Sequence, residues 1–127
     1  MRYVIPVVFA LALVGFAAGP AVAAAPAHPV KTAKGQVLAD ARGMTLYTFD
    51  KDKPGQSNCN GKCAEKWPAL KVEAGAEPAG DWSVVSRSDG SKMWAYRGKP
   101  LYTWAKDKKP GQTTGDGVGK LWHVARP

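Results

Sequence analysis

The two cysteines of this 127-residue chain, Cys59 and Cys63, are the residues best suited to chemistry. Thiols four positions apart can bring their Cα atoms within the roughly 4.4–6.8 Å that a disulfide requires. In an exported chain, which meets oxidising conditions, this spacing predicts an intramolecular disulfide. So short a loop would fix local shape more than it would stabilise the whole domain.

Two other chemistries remain open to the same pair. A redox-active dithiol is one, although the familiar redox motif has two intervening residues and this one has three. A copper site is the other, because two sulfurs favour Cu(I), with His123, His28 or Met44 as a candidate third ligand. We predict a structural disulfide without a cofactor, and keep a redox or copper site formed by Cys59, Cys63 and His123 as the alternative.

A duplicated segment dominates the rest of the chain, first at 43–56 and again at 98–112. Each copy has a tyrosine, an aromatic residue two positions later and an aspartate three positions after that. Duplicated units usually pack on each other. We expect the aromatic face to form the core and each aspartate to accept backbone N–H groups at the adjoining turn. These structural motif residues are Tyr47, Phe49 and Asp52, then Tyr102, Trp104 and Asp107.

Alternating apolar residues between turn signals predict strands at 36–40, 44–50, 82–86, 92–96 and 101–104. Helix-forming residues before Pro68 predict one short helical turn at 63–67. The fold class is therefore all-β: a small antiparallel domain of two tandem pseudo-repeats. We place a flexible tail at 25–35 and a single β domain at 36–127. Within it, repeat one covers 36–70, a connector 71–81 and repeat two 82–127.

Residues 1–24 have the layout of a signal peptide. Arg2 precedes an apolar stretch from Val4 to Phe16, and small residues follow near Ala23 and Ala24. An uncleaved membrane anchor is the competing interpretation, which the prolines and glycines of the segment disfavour. We expect a periplasmic or secreted protein without a lipid-attachment cysteine and without stable membrane insertion after cleavage.

The net charge is +8, and removal of Arg2 with the leader lowers it to +7. A basic exported protein suits an anionic envelope component or an envelope protein as its partner, and nucleic acid is a poor partner outside the cell. The basic residues are scattered, however, which is also typical of a well-solvated surface.

Aromatic and acidic residues leave two further alternatives open. The five tryptophans are expected to fill the core, with a sugar-stacking face as the lesser alternative. A wall-polymer hydrolase is a third, weaker option, because it would need two of Asp52, Asp107 and Asp116 to converge in a cleft.

Several of these features together resemble one bacterial family. Both copies of the duplicated motif, the cysteine pair, Trp67 with Pro68, and Trp122 with His123 resemble the predicted-lipoprotein family with a Tyr-x-(Phe/Trp/Tyr)-x-x-Asp motif, also called the secreted repeat of unknown function. The resemblance implies an exported envelope protein and supplies no catalytic residues. Many members carry a lipid-modified cysteine after the leader, where this chain has Ala24 or Ala25.

The function predicted from the sequence is that of an exported cell-envelope binding or accessory protein, non-enzymatic and of unknown ligand. A periplasmic redox or copper-handling protein that uses Cys59 and Cys63 is the alternative.

Overall fold

The computed structural model describes residues 25–127, so the predicted signal peptide at 1–24 lies outside the described residues. Short antiparallel strands make up most of the regular structure, which confirms the all-β prediction. In chain order the elements are β1 (His28–Thr32), β2 (Gly35–Ala39), β3 (Tyr47–Phe49), α1 (Lys62–Lys66), β4 (Trp82–Ser86), β5 (Lys92–Tyr96), β6 (Lys99–Pro100), a 3-10 turn (Val118–Lys120) and β7 (Trp122–Val124).

Three small sheets arise from these strands within the described part of the chain. β1 pairs with β2, and β4, β5 and β6 form a three-stranded antiparallel sheet. β3, from the first repeat, pairs with β7, from the second, and places Phe49 opposite Trp122. The two repeats therefore share a sheet.

β1 corrects the prediction of a flexible tail at 25–35. Residues 28–32 pair along their whole length with β2, and Gly35 supplies the left-handed backbone (φ 85°) that the connecting turn requires. Arg126 anchors this hairpin by donating hydrogen bonds to the carbonyls of Lys34 and Gln36. Pro29 is tolerated because β1 is an edge strand.

β4 and β5 have the predicted bounds, 82–86 and 92–96. The strand predicted at 44–50 is shorter, and the one predicted at 101–104 is wrong, because only Tyr102 forms isolated bridges there and the nearest strand is β6 at Lys99–Pro100. Neighbouring residues of this segment bond to different partners. Leu101 donates to Trp94, Tyr102 to Tyr47, and Thr103 to Pro68, so no continuous ladder forms.

The helical turn predicted at 63–67 is α1 (Lys62–Lys66), whose C-cap is Trp67, the residue immediately before Pro68. A 3-10 turn at Val118–Lys120 occupies the corresponding part of the second repeat and was not predicted. The left-handed backbone of Gly117 and Gly119 allows it.

Both faces of the motif strands are buried. Tyr47 and Tyr102 enter one core cluster, whereas Leu46 and Leu101 enter a second one with Leu38. Successive strand residues point to opposite faces, so each motif contributes to two cores. The predicted aromatic core is present, but Leu46 and Leu101 on the opposite face are also fully buried.

Candidate functional site

The two motif tyrosines meet at the centre of the molecule. The amide of Tyr47 donates to the carbonyl of Tyr102 at 2.7 Å, and the amide of Tyr102 donates to the carbonyl of Tyr47 at 3.0 Å. Both side chains are fully buried. This reciprocal pair marks a pseudo-twofold axis that relates the two repeats.

The tyrosines and aspartates of the motifs bind each other across this axis. The Tyr47 hydroxyl donates to Asp107 at 2.5 Å, and the Tyr102 hydroxyl donates to Asp52 at 2.6 Å. Each aspartate also accepts a backbone N–H from the loop of its own repeat, Asn58 for Asp52 and Thr114 for Asp107. An aspartate thus holds its own loop and the tyrosine of the other repeat.

Burial keeps the phenols protonated. Burial and then the hydrogen bond to Asp107 raise the pKa of Tyr47 far above its ordinary value, and burial and the bond to Asp52 do the same for the pKa of Tyr102. Burial also raises the pKa of Asp52, against the hydrogen bonds from Tyr102 and Asn58, which lower it. The phenols therefore remain hydrogen-bond donors at alkaline pH values at which an exposed tyrosine would ionise.

A stack of four aromatic rings, the four-ring stack, crosses the axis beside the tyrosines. Trp67 and Trp122 stack at its centre, with ring centroids 3.7 Å apart and planes 2° apart. Phe49 stacks on Trp122 at 4.2 Å, and Trp104 stacks on Trp67 at 3.9 Å. Each motif aromatic thus packs on a tryptophan near the end of the other repeat. Trp67, Trp104 and Trp122 therefore fill the core, as predicted.

Cys59 and Cys63 are joined in a disulfide, with Cα atoms 5.2 Å apart. Cys59 is fully buried, and its carbonyl accepts a hydrogen bond from Arg87. His123 belongs to a different part of the fold, where its Nε2 lies 2.8 Å from the Asp50 carboxylate. Across residues 25–127, no three His, Cys, Asp or Glu side chains gather as a metal site would require.

The acids considered for hydrolysis hold backbone groups. Asp116 accepts the amide of Val124 at 3.0 Å, while Asp52 and Asp107 bind the loops and tyrosines described above. Carboxylates fixed in turns in this way do not form the free acid pair that glycoside hydrolysis uses.

A cleft, which we call cleft one, lies at the boundary between the repeats, where the turn at Gly55 contacts the turn at Gly98. The amide of Gly55 donates to the carbonyl of Gly98 at 2.9 Å. Gly98 has a left-handed backbone (φ 82°), and a Cβ there would lie 3.6 Å from Pro54. Cleft one holds about 240 Å³ between the 48–54 segment and the 97–100 turn.

Cleft one is rich in charged side chains. Lys53, Arg97 and Lys99 line it together with two carboxylates, Asp50 and Asp52, and the half-buried ring of Phe49. An adjoining space of about 370 Å³ shares Thr48, Asp50, Arg97 and Lys99 and extends to His123 and Arg126. The sequence analysis missed this site because its walls belong to different repeats. The charged residues that flank the aromatic motif were the available signal.

Comparison with known proteins identifies the family. The model of a secreted repeat of unknown function matches residues 28–71 and again 83–126, so the chain belongs to that family and contains two copies of its repeat. None of the curated proteins and none of the solved structures matches the chain. Among the described residues, no helix is long and apolar enough to span a membrane.

Proposed function

We propose that this member of the secreted-repeat family is an exported, non-enzymatic binding protein of the cell envelope that holds an acidic glycan in cleft one. The observation that carries the proposal is the arrangement of cleft one. Three cationic side chains, those of Lys53, Arg97 and Lys99, surround a half-buried aromatic ring where the two repeats meet. We place the protein in the periplasm or outside the cell, without a lipid anchor.

The cations of cleft one are free to meet a ligand. Lys53 and Lys99 are exposed and have no salt bridge within the described part of the chain. Arg97 forms only an exposed 3.4 Å pair with Asp81, and a solvated pair of this kind is weak and exchangeable. The guanidinium of Arg97 also lies 4.9 Å from the ring centre of Tyr96, a contact that orients it.

The groups beside these cations suit a sugar. Phe49 is fixed by its stack on Trp122 and presents apolar surface on which a sugar ring can pack. Thr48 adds a hydroxyl, and Asp50, which pairs with His123 of the adjoining space, adds groups that can bond to sugar hydroxyls. Lysine and arginine would bind the phosphate or carboxylate groups. An acidic glycan uses all of these groups, whereas an inorganic anion would use only the cations.

Isothermal titration with acidic oligosaccharides tests this proposal. The probes are an oligomer of uronic acid and an oligomer of glycerol phosphate, with a neutral glucan oligomer as the ligand control. We expect the acidic probes to bind and the double variant Lys53→Gln/Arg97→Gln to weaken binding about tenfold or more, because it removes two charge-assisted contacts.

The matched control is Lys62→Gln/Lys66→Gln in α1, which removes the same charge outside cleft one and should bind like the unaltered protein. Equal weakening by both double variants would show attraction by net charge alone. Equal binding of the neutral glucan would also contradict the proposal.

A second candidate function, a redox or copper-handling role, uses Cys59 and Cys63. The observation that favours it is that the disulfide occurs in one repeat only, since Thr114 and Val118 occupy the corresponding positions of the other. Mass spectrometry after mild reduction and alkylation, with a metal assay, tests this role. Reduction by a mild thiol or bound copper would support it, and a resistant, metal-free pair would contradict it.

A further inference from the structure

We infer that the protein is bivalent: a second cleft, cleft two, binds the same class of ligand on the other side of the pseudo-twofold axis. The inference takes the ligand class from the proposed function. Cleft two lies between Arg42 and Met44 of the first repeat and Thr103, Trp104 and Lys108 of the second. It holds about 450 Å³.

Cleft two is built in the same way as cleft one. The amide of Gly111 donates to the carbonyl of Gly43 at 3.3 Å, as Gly55 donates to Gly98 in cleft one. Gly43 has a left-handed backbone (φ 83°), and a Cβ there would lie 3.1 Å from Pro110. In each cleft, the Pro-Gly turn of one repeat therefore docks on the glycine that precedes the motif of the other.

Polar lining residues also correspond between the clefts. Arg42 matches Arg97, Lys108 matches Lys53, and Thr103 matches Thr48, each 55 positions apart. The side chains of Arg42 and Arg97 are 82% and 61% exposed, so core packing does not require arginine at either position. Arg42 pairs with Asp40 at 3.7 Å and Arg97 with Asp81 at 3.4 Å, and such weak, solvated pairs leave each guanidinium available to a ligand with negative charge.

The aromatic walls correspond as well. Phe49 and Trp104 are the two ends of the four-ring stack, so one stack supplies a ring to each cleft. Lys106 lies 5.8 Å from the ring centre of Trp104 and adds a further cation near cleft two. Each cleft therefore combines an aromatic ring with basic side chains.

Three sequence differences distinguish the two sides of the axis. Met44 stands where cleft one has Lys99, Ala105 stands where it has Asp50, and Pro68 takes the position of His123, which lines the space adjoining cleft one. Cleft two thus has one lining cation fewer and no acid–imidazole pair. Its ring is also less accessible, because Trp104 is 8% exposed whereas Phe49 is half-buried. We therefore expect cleft two to bind acidic sugars more weakly than cleft one.

Two clefts on one rigid core suit a repeating polymer. A polymer that reaches both would bind with an avidity above that of either cleft, and two polymer chains could be held together by one molecule. A short probe occupies the clefts separately and allows them to be counted.

The test is a titration with a uronic acid disaccharide, monitored by NMR of the ¹⁵N-labelled protein. It uses the protein comprising residues 25–127 and two double variants. Lys53→Gln/Arg97→Gln alters cleft one, and Lys108→Gln/Arg42→Gln alters cleft two with the same loss of charge. We expect two sites in the unaltered protein and about tenfold weaker binding at one site in each variant. The NMR signals of Lys99, which report on cleft one, and of the Trp104 indole, which report on cleft two, should give different dissociation constants.

The outcomes separate the two proposals. One site, lost in the Lys53→Gln/Arg97→Gln variant with no shift at Trp104, overturns the inference and leaves the proposed function standing. One site, lost only in the Lys108→Gln/Arg42→Gln variant, overturns bivalence and the assignment of cleft one, and assigns the binding to cleft two. Absence of binding by the unaltered protein overturns both. Thermal melts of both variants confirm that they are folded.

Discussion

Tyr47, in the first repeat, donates a 2.5 Å hydrogen bond to Asp107, in the second, rather than to the aspartate five positions along its own motif. Tyr102 makes the reciprocal bond to Asp52. The motif is therefore completed only when two copies face each other. The same exchange holds for the motif aromatics, each of which stacks on a tryptophan of the other repeat.

Separated repeats should not fold. In the isolated segment 25–81, Tyr47 and Asp52 would lose their partners and β3 would lose β7. We expect the segments 25–81 and 82–127 to be unfolded alone by circular dichroism, and mixing them to restore the native NMR spectrum. The intact chain is the reference. A folded, cooperative single segment would contradict this expectation.

Gly115→Ala should destabilise the protein through crowding. A Cβ at this position would lie 2.9 Å from ring atoms of both Tyr47 and Trp67, and neither buried ring has room to move. We expect the free energy of unfolding, measured in urea, to fall by about 1–3 kcal/mol or more. Gly117→Asn is the control, because asparagine tolerates its left-handed backbone and the space around it is open. Equal stability of the two variants would argue against tight packing at the axis.

Alkaline pH should unfold the protein through its buried tyrosines. The pKa values of Tyr47 and Tyr102 are raised in the folded state, so the unfolded state loses these protons first. The stabilisation is complete below the ordinary tyrosine pKa of about 10 and is lost as the pH rises beyond it. Urea unfolding between pH 8 and 11 measures this loss. In Tyr102→Phe, the free energy of unfolding should fall less steeply with pH, by the equivalent of about one proton. An unchanged slope would contradict the attribution of the loss to Tyr102.

Met44→Lys should strengthen cleft two. Lysine at position 44 gives cleft two the cation that Lys99 gives cleft one, and Met44 is only half-buried. We expect the affinity of cleft two for the uronic acid disaccharide to rise several-fold, since a charge-assisted bond contributes about 1.5–3 kcal/mol before the cost of ordering the side chain. The reverse variant, Lys99→Met, should weaken cleft one. Titration measures both, and no change in either would show that these positions do not contact the ligand.

The sequence predicts the parts of the fold that depend on local signals. β4 and β5 follow from alternating residues around an Asp-Gly turn, and Gly90 has the left-handed backbone that such a turn uses. The edge strand β1 was missed because Pro29 and the lack of apolar periodicity conceal it. Its pairing depends on β2 and on Arg126, at the far end of the chain.

Partner choice between the repeats could not be predicted. Each tyrosine has a chemically suitable aspartate five positions along its own motif, and another in the second copy. Only the packing of the repeats about the axis decides between them. Cleft one was missed for the same reason, since Lys53 and Arg97 meet only after the repeats have docked. The disulfide, in contrast, joins neighbouring residues, so its spacing was sufficient to predict it.

A double-mutant cycle tests the exchange of motif partners most directly. The first cycle compares the free energies of unfolding of Tyr47→Phe, Asp107→Asn and the double variant, and it gives the coupling between Tyr47 and Asp107. The second cycle replaces Asp107→Asn with Asp52→Asn, and it gives the coupling between Tyr47 and the aspartate of its own motif. We predict a coupling of about 1–3 kcal/mol for Tyr47 with Asp107, and additivity within about 0.5 kcal/mol for Tyr47 with Asp52. Strong coupling of Tyr47 to Asp52 together with additivity for Asp107 would contradict the interlocked repeats.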